Sequence, residues 1–290
     1  ILGFLLGIIR LSNNWVASRL VYVFIELTRN IPVLLHILLI HGIIVHILPS
    51  PKQAHTLADS IFLSNRGLTI PDPVAGDGFI FTVIAFFIAI AGAVYFRSWA
   101  KKKREEEGKI YHVFYISVGI LFGLPLLVFL LSGLPLTWHV PEMGRFNLKG
   151  GVTMIPELLA LWLALSLYTS AFIAEIVRAG IMAINKGQWE ASEAVGLTRD
   201  RTLNLVIIPQ ALRIIIPPRT SQYLNLTKNS SLAIAIGYMD IVATIGGITL
   251  MQTGKEMETM IIVLFTYLCI SLLISSAMNW YNKRLKLVER

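Results

Sequence analysis

Seven ionisable residues lie inside stretches that are otherwise apolar: Glu26, Arg29, Glu175, Arg178, Arg213, Arg219 and Lys228. Charges in apolar surroundings are costly, so each needs a partner or a polar cavity, and such groups are functional candidates by default. The chemistry open to them is recognition of charge, cations for an anionic group and carboxylates for a cationic one. Arg213 and Arg219 fall toward one end of their stretch and are set aside. Arg29 and Asn30 adjoin Pro32, which removes a backbone hydrogen bond and kinks or splits a helix. A broken helix frees backbone groups that can line a cavity. The competing reading of Arg29 is a pair with Glu26 at i,i+3 that only fixes packing. Glu175 and Arg178 have the same spacing and the same alternative. Tyr168, on the same segment, is placed to close a pocket. Asn225 and Lys228 share a helix face and, with Ser230 and Ser231, make the most polar stretch within any apolar segment. They read as a polar path or as polar glue between helices.

Other chemistries find little support. His36, His41 and His46 are five apart and do not share one face of a helix with about 3.6 residues per turn. They read as lining or packing, not as a metal site. There is no Gly-x-Ser-x-Gly and no His-Glu-x-x-His. Thr253-Gly254-Lys255-Glu256 is the nearest approach to a phosphate loop, but it lacks the earlier glycine and the Ser/Thr after lysine. The expectation is no enzyme activity and no cofactor in this chain. The single cysteine, Cys269, leaves no disulfide within the chain and no cysteine metal cluster.

These residues need elements built for lipid. The 290 residues are 55% hydrophobic and 14% charged, against about 25% charged in a soluble domain. The net charge of +8 does not imply nucleic acid, because the cations sit in short runs between apolar segments. Apolar stretches at about 15–47, 78–97, 111–133, 155–180, 204–235 and 258–281 approach the roughly 20 residues a spanning helix needs. Ile1 to Ile9 read as the tail of a further spanning helix whose start is absent. The loops at Arg10–Arg19, Arg97–Lys109 and Ile181–Leu203, with the C-terminal tail, hold fifteen of the 25 cations. The alternate loops, about 48–77, 134–154 and 236–257, hold five: Lys52, Arg66, Arg145, Lys149 and Lys255. That parity places the basic loops and the C-terminus in the cytoplasm. Residues 49–77, rich in Pro, Gly and Asp, read as an ordered or partly mobile periplasmic excursion. Lys101–Glu107 reads as a solvated turn, with a patch for anionic lipid as the alternative.

The most specific signal is the run Gly187 to Pro209. Gln188–Val195 favours a helix with small residues on one face, Gly196 suits a left-handed C-cap, and Thr198 is placed to cap a second helix with Asp200 and Arg201 in its first turn. Two short helices at an angle make a rigid knob that fits a cleft in a soluble partner. The run resembles the EAA loop of permease subunits of ATP-binding-cassette importers. Glu190, Ala191, Ser192, Gly196, Val206, Ile208 and Pro209 occupy the motif's places, with Ser192 in place of the second alanine. The flanking Tyr168–Ile181, Pro209–Ala211 and Leu224–Leu232 segments look like the polar amino-acid permease family. Glu26–Pro32, with its Arg-Asn-Ile-Pro, resembles the Q-type subunit of general L-amino-acid importers, as does an extra helix pair at 78–133.

The resemblance implies an all-α, polytopic transmembrane bundle of the type I importer permease fold with that helix pair inserted. The implied organisation is 1–47 for the first core helices, 48–155 for the periplasmic loop and inserted pair, and 156–290 for the permease core. The implied function is import of L-amino acids, of broad or polar and acidic range, from periplasm to cytoplasm by alternating access in a bacterial inner membrane. The implied partners are a second related permease chain, two ATP-binding subunits holding ATP and Mg, a periplasmic amino-acid-binding protein and the lipid bilayer, with no nucleic acid. Docking of the ATPase falls to Gly187, Glu190, Ala191, Ser192, Gly196, Thr198 and Pro209. The substrate path falls to Arg29, Asn30, Tyr168, Glu175, Asn225, Lys228, Ser230 and Ser231. An ion-coupled secondary amino-acid transporter is the competing class, but it calls for two discontinuous helices in matched positions where the sequence shows one evident break.

Overall fold

The computed structural model describes residues 1–109, 111–144 and 147–285. Arg145, Lys286 and Arg290, three of the cations used above for orientation, lie outside the described residues. The protein is mostly helical, and its secondary structure divides into two units.

The larger unit comprises residues 1–53, 64–68 and 154–290. Its axis is α6 (Pro156–Met182), which starts with proline at a position where the missing N–H costs nothing. Some 44% of its most apolar stretch is buried, against 6% for α11 (Glu256–Leu285). The buried positions of α6 are largely small, among them Ala160, Ala164, Ala171, Ala174 and Gly180. Small residues allow helices to approach closely where lipid supplies no hydrophobic drive. α1 (Leu2–Arg10) presses Gly3 and Gly7 onto this surface. A Cβ on Gly7 would come within 2.8 Å of the Ala174 carbonyl oxygen and of Val177. α2 (Trp15–Asn30) contributes Ile25 to a cluster with Ala171 and Ala174.

Pro32 does split its segment. α2 and α3 (Val33–Gly42), with a π-helical extension to Ile47, meet at an angle of 107°. Ile31 is extended, at φ −101° and ψ 133°, as the residue before proline prefers.

Two expectations are corrected in this unit. Among the described residues, the stretch 204–235 is helical but is not one of the four helices long and apolar enough to cross a membrane, a number that rises to five if the bent pair is one span. Arg213, Arg219 and Lys228 lower the hydropathy of α9 (Ile208–Asn229), which runs on as one helix with Pro217 and Pro218 inside it. Residues 236–257 are not simply a loop, since Val242–Thr249 is π-helical and leads into α10 (Leu250–Thr253). Ser230–Ile236 forms a 3-10 turn, closed by Gly237 at φ 78°.

The smaller unit comprises residues 54–63 and 69–153. α4 (Phe79–Glu107) and α5 (Val113–Leu131) form a hairpin whose end carries Trp99 between Phe96 and Tyr111. The run Lys101–Glu107 is the last part of α4 rather than a turn. Lys101–Glu105, Lys102–Glu106 and Lys103–Glu107 pair at i,i+4, and Gly108 ends the helix at φ 68°. Residues 49–77 and 134–154 carry short strands that an all-α reading does not contain. β1 (His55–Leu57) pairs with β2 (Ile61–Ser64), β4 (Asp72–Ala75) with β5 (Leu136–His139), and β6 (Glu142–Met143) with β7 (Leu148–Lys149). β3 (Gly67–Ile70) and β8 (Val152–Met154) complete the described strands, and Thr69 and Thr153 share a hydroxyl hydrogen bond of 3.0 Å.

Because α1 rests directly on α6, Gly7→Leu should destabilise the protein by about 1–3 kcal/mol, the usual cost of forcing extra methylenes into a packed contact. Thermal unfolding of the detergent-solubilised protein measures this, and Gly42→Leu, with nothing near its absent side chain, is the control.

Candidate functional site

The helical period places Tyr168 and Phe172 one turn apart on α6, with ring centroids 4.9 Å apart. The Arg29 guanidinium lies 5.5 Å above the Phe172 ring. Its Nε is buried and has no hydrogen-bond partner among the described residues. His36 meets Tyr168 edge-on at 5.7 Å, and its Nδ1 lies 3.2 Å from the Pro32 carbonyl oxygen. The split at Pro32 therefore brings Arg29 from one side and His36 from the other onto the same face of α6.

Beside this line is a cavity of about 220 Å³, lined by Tyr168, Thr169, Phe172, Gln222, Asn225, Leu226 and Asn229. Tyr168 and Asn225 both line it, while Arg29 does not but lies over Phe172, which does. Gln222 and Asn229 were missed. Their spacing around Asn225, three back and four on, is the signal that one helix face carries all three amides. Amides both donate and accept, so the cavity can hold a zwitterion without a fixed charge of either sign.

Other candidates do not line it. The Asn30 amide donates to the Glu26 carbonyl at 2.8 Å, within its own helix end. Ser230 and Ser231 donate to the Thr227 and Lys228 carbonyls, each at 2.7 Å. Lys228 is exposed. The expected alternative of an Arg29–Glu26 pair does not form. Glu26 lies 4.0 Å from Arg10 instead. Glu175 takes the packing alternative, pairing with Arg178 at 2.6 Å and with Arg10. It ties α1 to α6.

The Gly187–Pro209 region is largely exposed and firmly attached. α7 (Lys186–Ala194) is capped by Asn185, whose side chain accepts from the Gly187 N–H at 2.8 Å. At its other end the Leu197 N–H donates to the Ser192 carbonyl and the Gly196 N–H to that of Glu193. These two bonds form a Schellman closure, with Gly196 at φ 75°. Ser192 is buried, and its hydroxyl donates to the Gln188 carbonyl at 2.6 Å, so the exchange of alanine for serine leaves no polar atom unpaired. Thr198 occupies the N-cap position but makes no side-chain cap. α8 starts instead with the Thr202 N–H donating to the Thr198 carbonyl at 2.8 Å. α8 (Arg199–Thr202) is a single turn that runs through a π-helical turn into α9. The second short helix of the expected knob is therefore the head of a long one.

Trp189, Leu203 and Val206 pack on the buried cluster Val177, Ile184, Ile207, Ala211 and Ile215. Gln210 donates to the Gln188 side chain at 3.0 Å. Gly187, Glu190, Ala191, Gly196, Thr198 and Pro209 face outward. Val195, at 75% exposure, and Leu205, at 66%, leave apolar surface beside them.

Residues 98–287 match the family model described as "Binding-protein-dependent transport system inner membrane component". The chain is 50% identical over its whole length to the "General L-amino acid transport system permease protein AapQ" of Rhizobium johnstonii, covering 72% of that protein. It is equally similar to the "Putative amino-acid ABC transporter permease protein YhdX" of Escherichia coli K12, covering 74% of it. It is 44% identical to the "Glutamate/glutamine/aspartate/asparagine transport system permease protein BztB" of Rhodobacter capsulatus, over 98% of this chain and 73% of that protein. A solved structure titled "Crystal structure of an amino acid ABC transporter with histidines" has a similar fold, with TM-score 0.55 and 19% identity over 98% of this chain and 83% of its own.

The Glu175 cluster supplies a stability test. Glu175→Gln leaves Arg10 and Arg178 without their shared counter-charge. It should cost roughly 2 kcal/mol, below the roughly 3–5 kcal/mol of a fully buried pair because these groups are partly exposed. In thermal unfolding, Glu175→Gln combined with Arg178→Gln should lose less than the two single changes added.

Proposed function

The chain belongs to the family of binding-protein-dependent transport system inner membrane components, and on that premise we propose that it is the permease subunit of an ATP-driven importer of L-amino acids. The names of its relatives support a broad or polar and acidic range of amino acids. The observation that carries the reading is the attachment of an outward-facing loop, 187–209, to the two helices that wall the polar cavity. α6 leads into the loop and α9 leads out of it. A push on α7 moves the pair as rigid rods, and the cavity changes its opening from one side of the membrane to the other.

In this reading the substrate backbone rests among Tyr168, Gln222, Asn225 and Asn229, and Arg29 supplies positive potential behind Phe172. Lys228, with Ser230 and Ser231 beside it, faces the second permease chain. Glu175 and Asn30 leave the path and serve the scaffold. The loop docks an ATP-binding subunit in the cytoplasm, where the C-terminus also lies. Two such subunits hold ATP and Mg, and a periplasmic binding protein delivers the amino acid. The chain holds no nucleotide itself. Thr253–Glu256, the nearest approach to a phosphate loop, joins the end of α10 to the start of α11, with Gly254 at φ 67°. An ion-coupled carrier would have no use for the docking loop.

Uptake and ATP hydrolysis by the complex in proteoliposomes test the path. Arg29→Ala and Asn225→Ala should each lower uptake at least about tenfold, the equivalent of about 1.4 kcal/mol in transition-state stabilisation, while the complex still assembles. Undiminished uptake in both variants would remove the site. Gly196→Val tests the dock. Valine at positive φ is strained by about 1–3 kcal/mol, so α7 should lose its closure and the ATPase should no longer co-purify with an inserted chain. Normal recovery of the ATPase would refute the docking role.

A further inference from the structure

A second cavity, of about 440 Å³, opens where the link between α1 and α2 passes the end of α6. Arg10, Arg19 and Arg178 line it, together with Ser12, Trp15 and Tyr22, and no carboxylate does. Glu175 holds Arg10 and Arg178 from behind, and Glu26 is 4.0 Å from Arg10. Arg19 has no ion pair among the described residues. Its guanidinium lies 5.2 Å over the Tyr22 ring, and that of Arg10 lies 5.0 Å over the same ring. Three guanidiniums against two carboxylates leave one net positive charge. The first turn of α2 opens on the same space, and its dipole adds to that potential.

The surroundings tell what kind of anion fits. On the face of α2 next round from the one that lines the cavity, Val16, Leu20, Val23 and Leu27 form one stripe, with exposures of 58%, 68%, 45% and 59%. The spacing of four, three and four keeps them on one face. Trp15 stands at the rim, 75% exposed, as aromatic side chains do at the edge of a bilayer. A free anion has no use for that stripe. A zwitterionic lipid would bring an ammonium to a cavity with no carboxylate in its wall. We propose that this cavity binds the phosphodiester of an anionic phospholipid, in the leaflet faced by the basic loops, with an acyl chain laid along α2. One net charge in the cavity matches the single charge of such a headgroup.

The test is native mass spectrometry of the whole purified complex, titrated in parallel with phosphatidylglycerol, phosphatidylcholine and inorganic phosphate. No amino acid is present, so the outcome is independent of the transport reading. The wild-type protein should retain phosphatidylglycerol over phosphatidylcholine, and Arg19→Gln should lower that retention about fivefold, since one cation near a charged lipid is worth about 1 kcal/mol. Arg19→Lys should recover most of it, because the charge is restored. Tyr22→Leu, which removes the ring under both guanidiniums, serves as a second variant should Arg19→Gln fail to fold, and should also weaken retention. Equal retention of the two lipids, unchanged retention in both variants, or displacement of phosphatidylglycerol by inorganic phosphate at equal concentration would each overturn the proposal.

Discussion

Close approach at α6 is the constraint on which the larger unit depends. In lipid, burying apolar side chains between helices brings no hydrophobic gain, so packing must come from contact distance. α6 supplies a surface of alanines and glycine. α1 meets it through Gly3 and Gly7, and Ile215 of α9 meets Gly180. Larger residues at these points would separate the rods. The polar contacts then sit where the rods are already held. Glu175 can bridge Arg10 and Arg178 only because α1 lies against α6.

That constraint also joins the loop region to the cavity-lining part of the same helices by continuous packing. Gly180 and Ile215 close the gap between α6 and α9, just inside the buried cluster on which Trp189, Leu203 and Val206 rest. Tyr168 and Asn225 lie further along the same two helices. Between loop and cavity there is contiguous packing, and helices packed at interior density transmit strain rather than absorb it. The π-helical turn at Leu203–Ile207 is a departure from regular helix on this path, and such turns often accompany function.

How much of this was legible in the sequence depended on range. The break at Pro32, the left-handed Gly196 and the helical nature of 188–195 are local effects of one or a few residues, and they stand as expected. Pairings across the chain were not legible. Glu26 and Arg29 have a spacing that permits a pair, yet Arg10, more than a dozen residues away, draws Glu26 and leaves Arg29 on Phe172. The same failure hid Gln222 and Asn229, whose polar character matters only once α9 faces Tyr168. Ser230 and Ser231 misled for a different reason. Their hydroxyls are absorbed by the carbonyls one turn back, a habit of serine in helices that leaves the side chain little to offer a ligand. The β4–β5 ladder was hidden because its partners lie far apart in the chain, as Asp72 and His139 do, whereas β1–β2 and β6–β7 are short local hairpins of only two to four residues a strand.

The placement of charge completes the physical picture of the larger unit. Arginines near α6 are each held by a ring, a carboxylate or both. Arg10 has Glu175 and Tyr22, Arg29 has Phe172, and Arg219 lies 5.6 Å over both Phe4 and Tyr223. An aromatic face stabilises a guanidinium without neutralising it. The cation therefore keeps its positive potential for a visitor, whereas a carboxylate partner would cancel it. The two cavities use this difference in opposite proportion. Beside the first, the Arg29 guanidinium rests on the Phe172 ring and makes no ion pair among the described residues, so in the proposed reading its charge stays open to a substrate that must leave again. In the second, Arg10 and Arg178 are fixed by Glu175, and Arg19 alone keeps an uncancelled charge at the open edge, which suits a resident that stays.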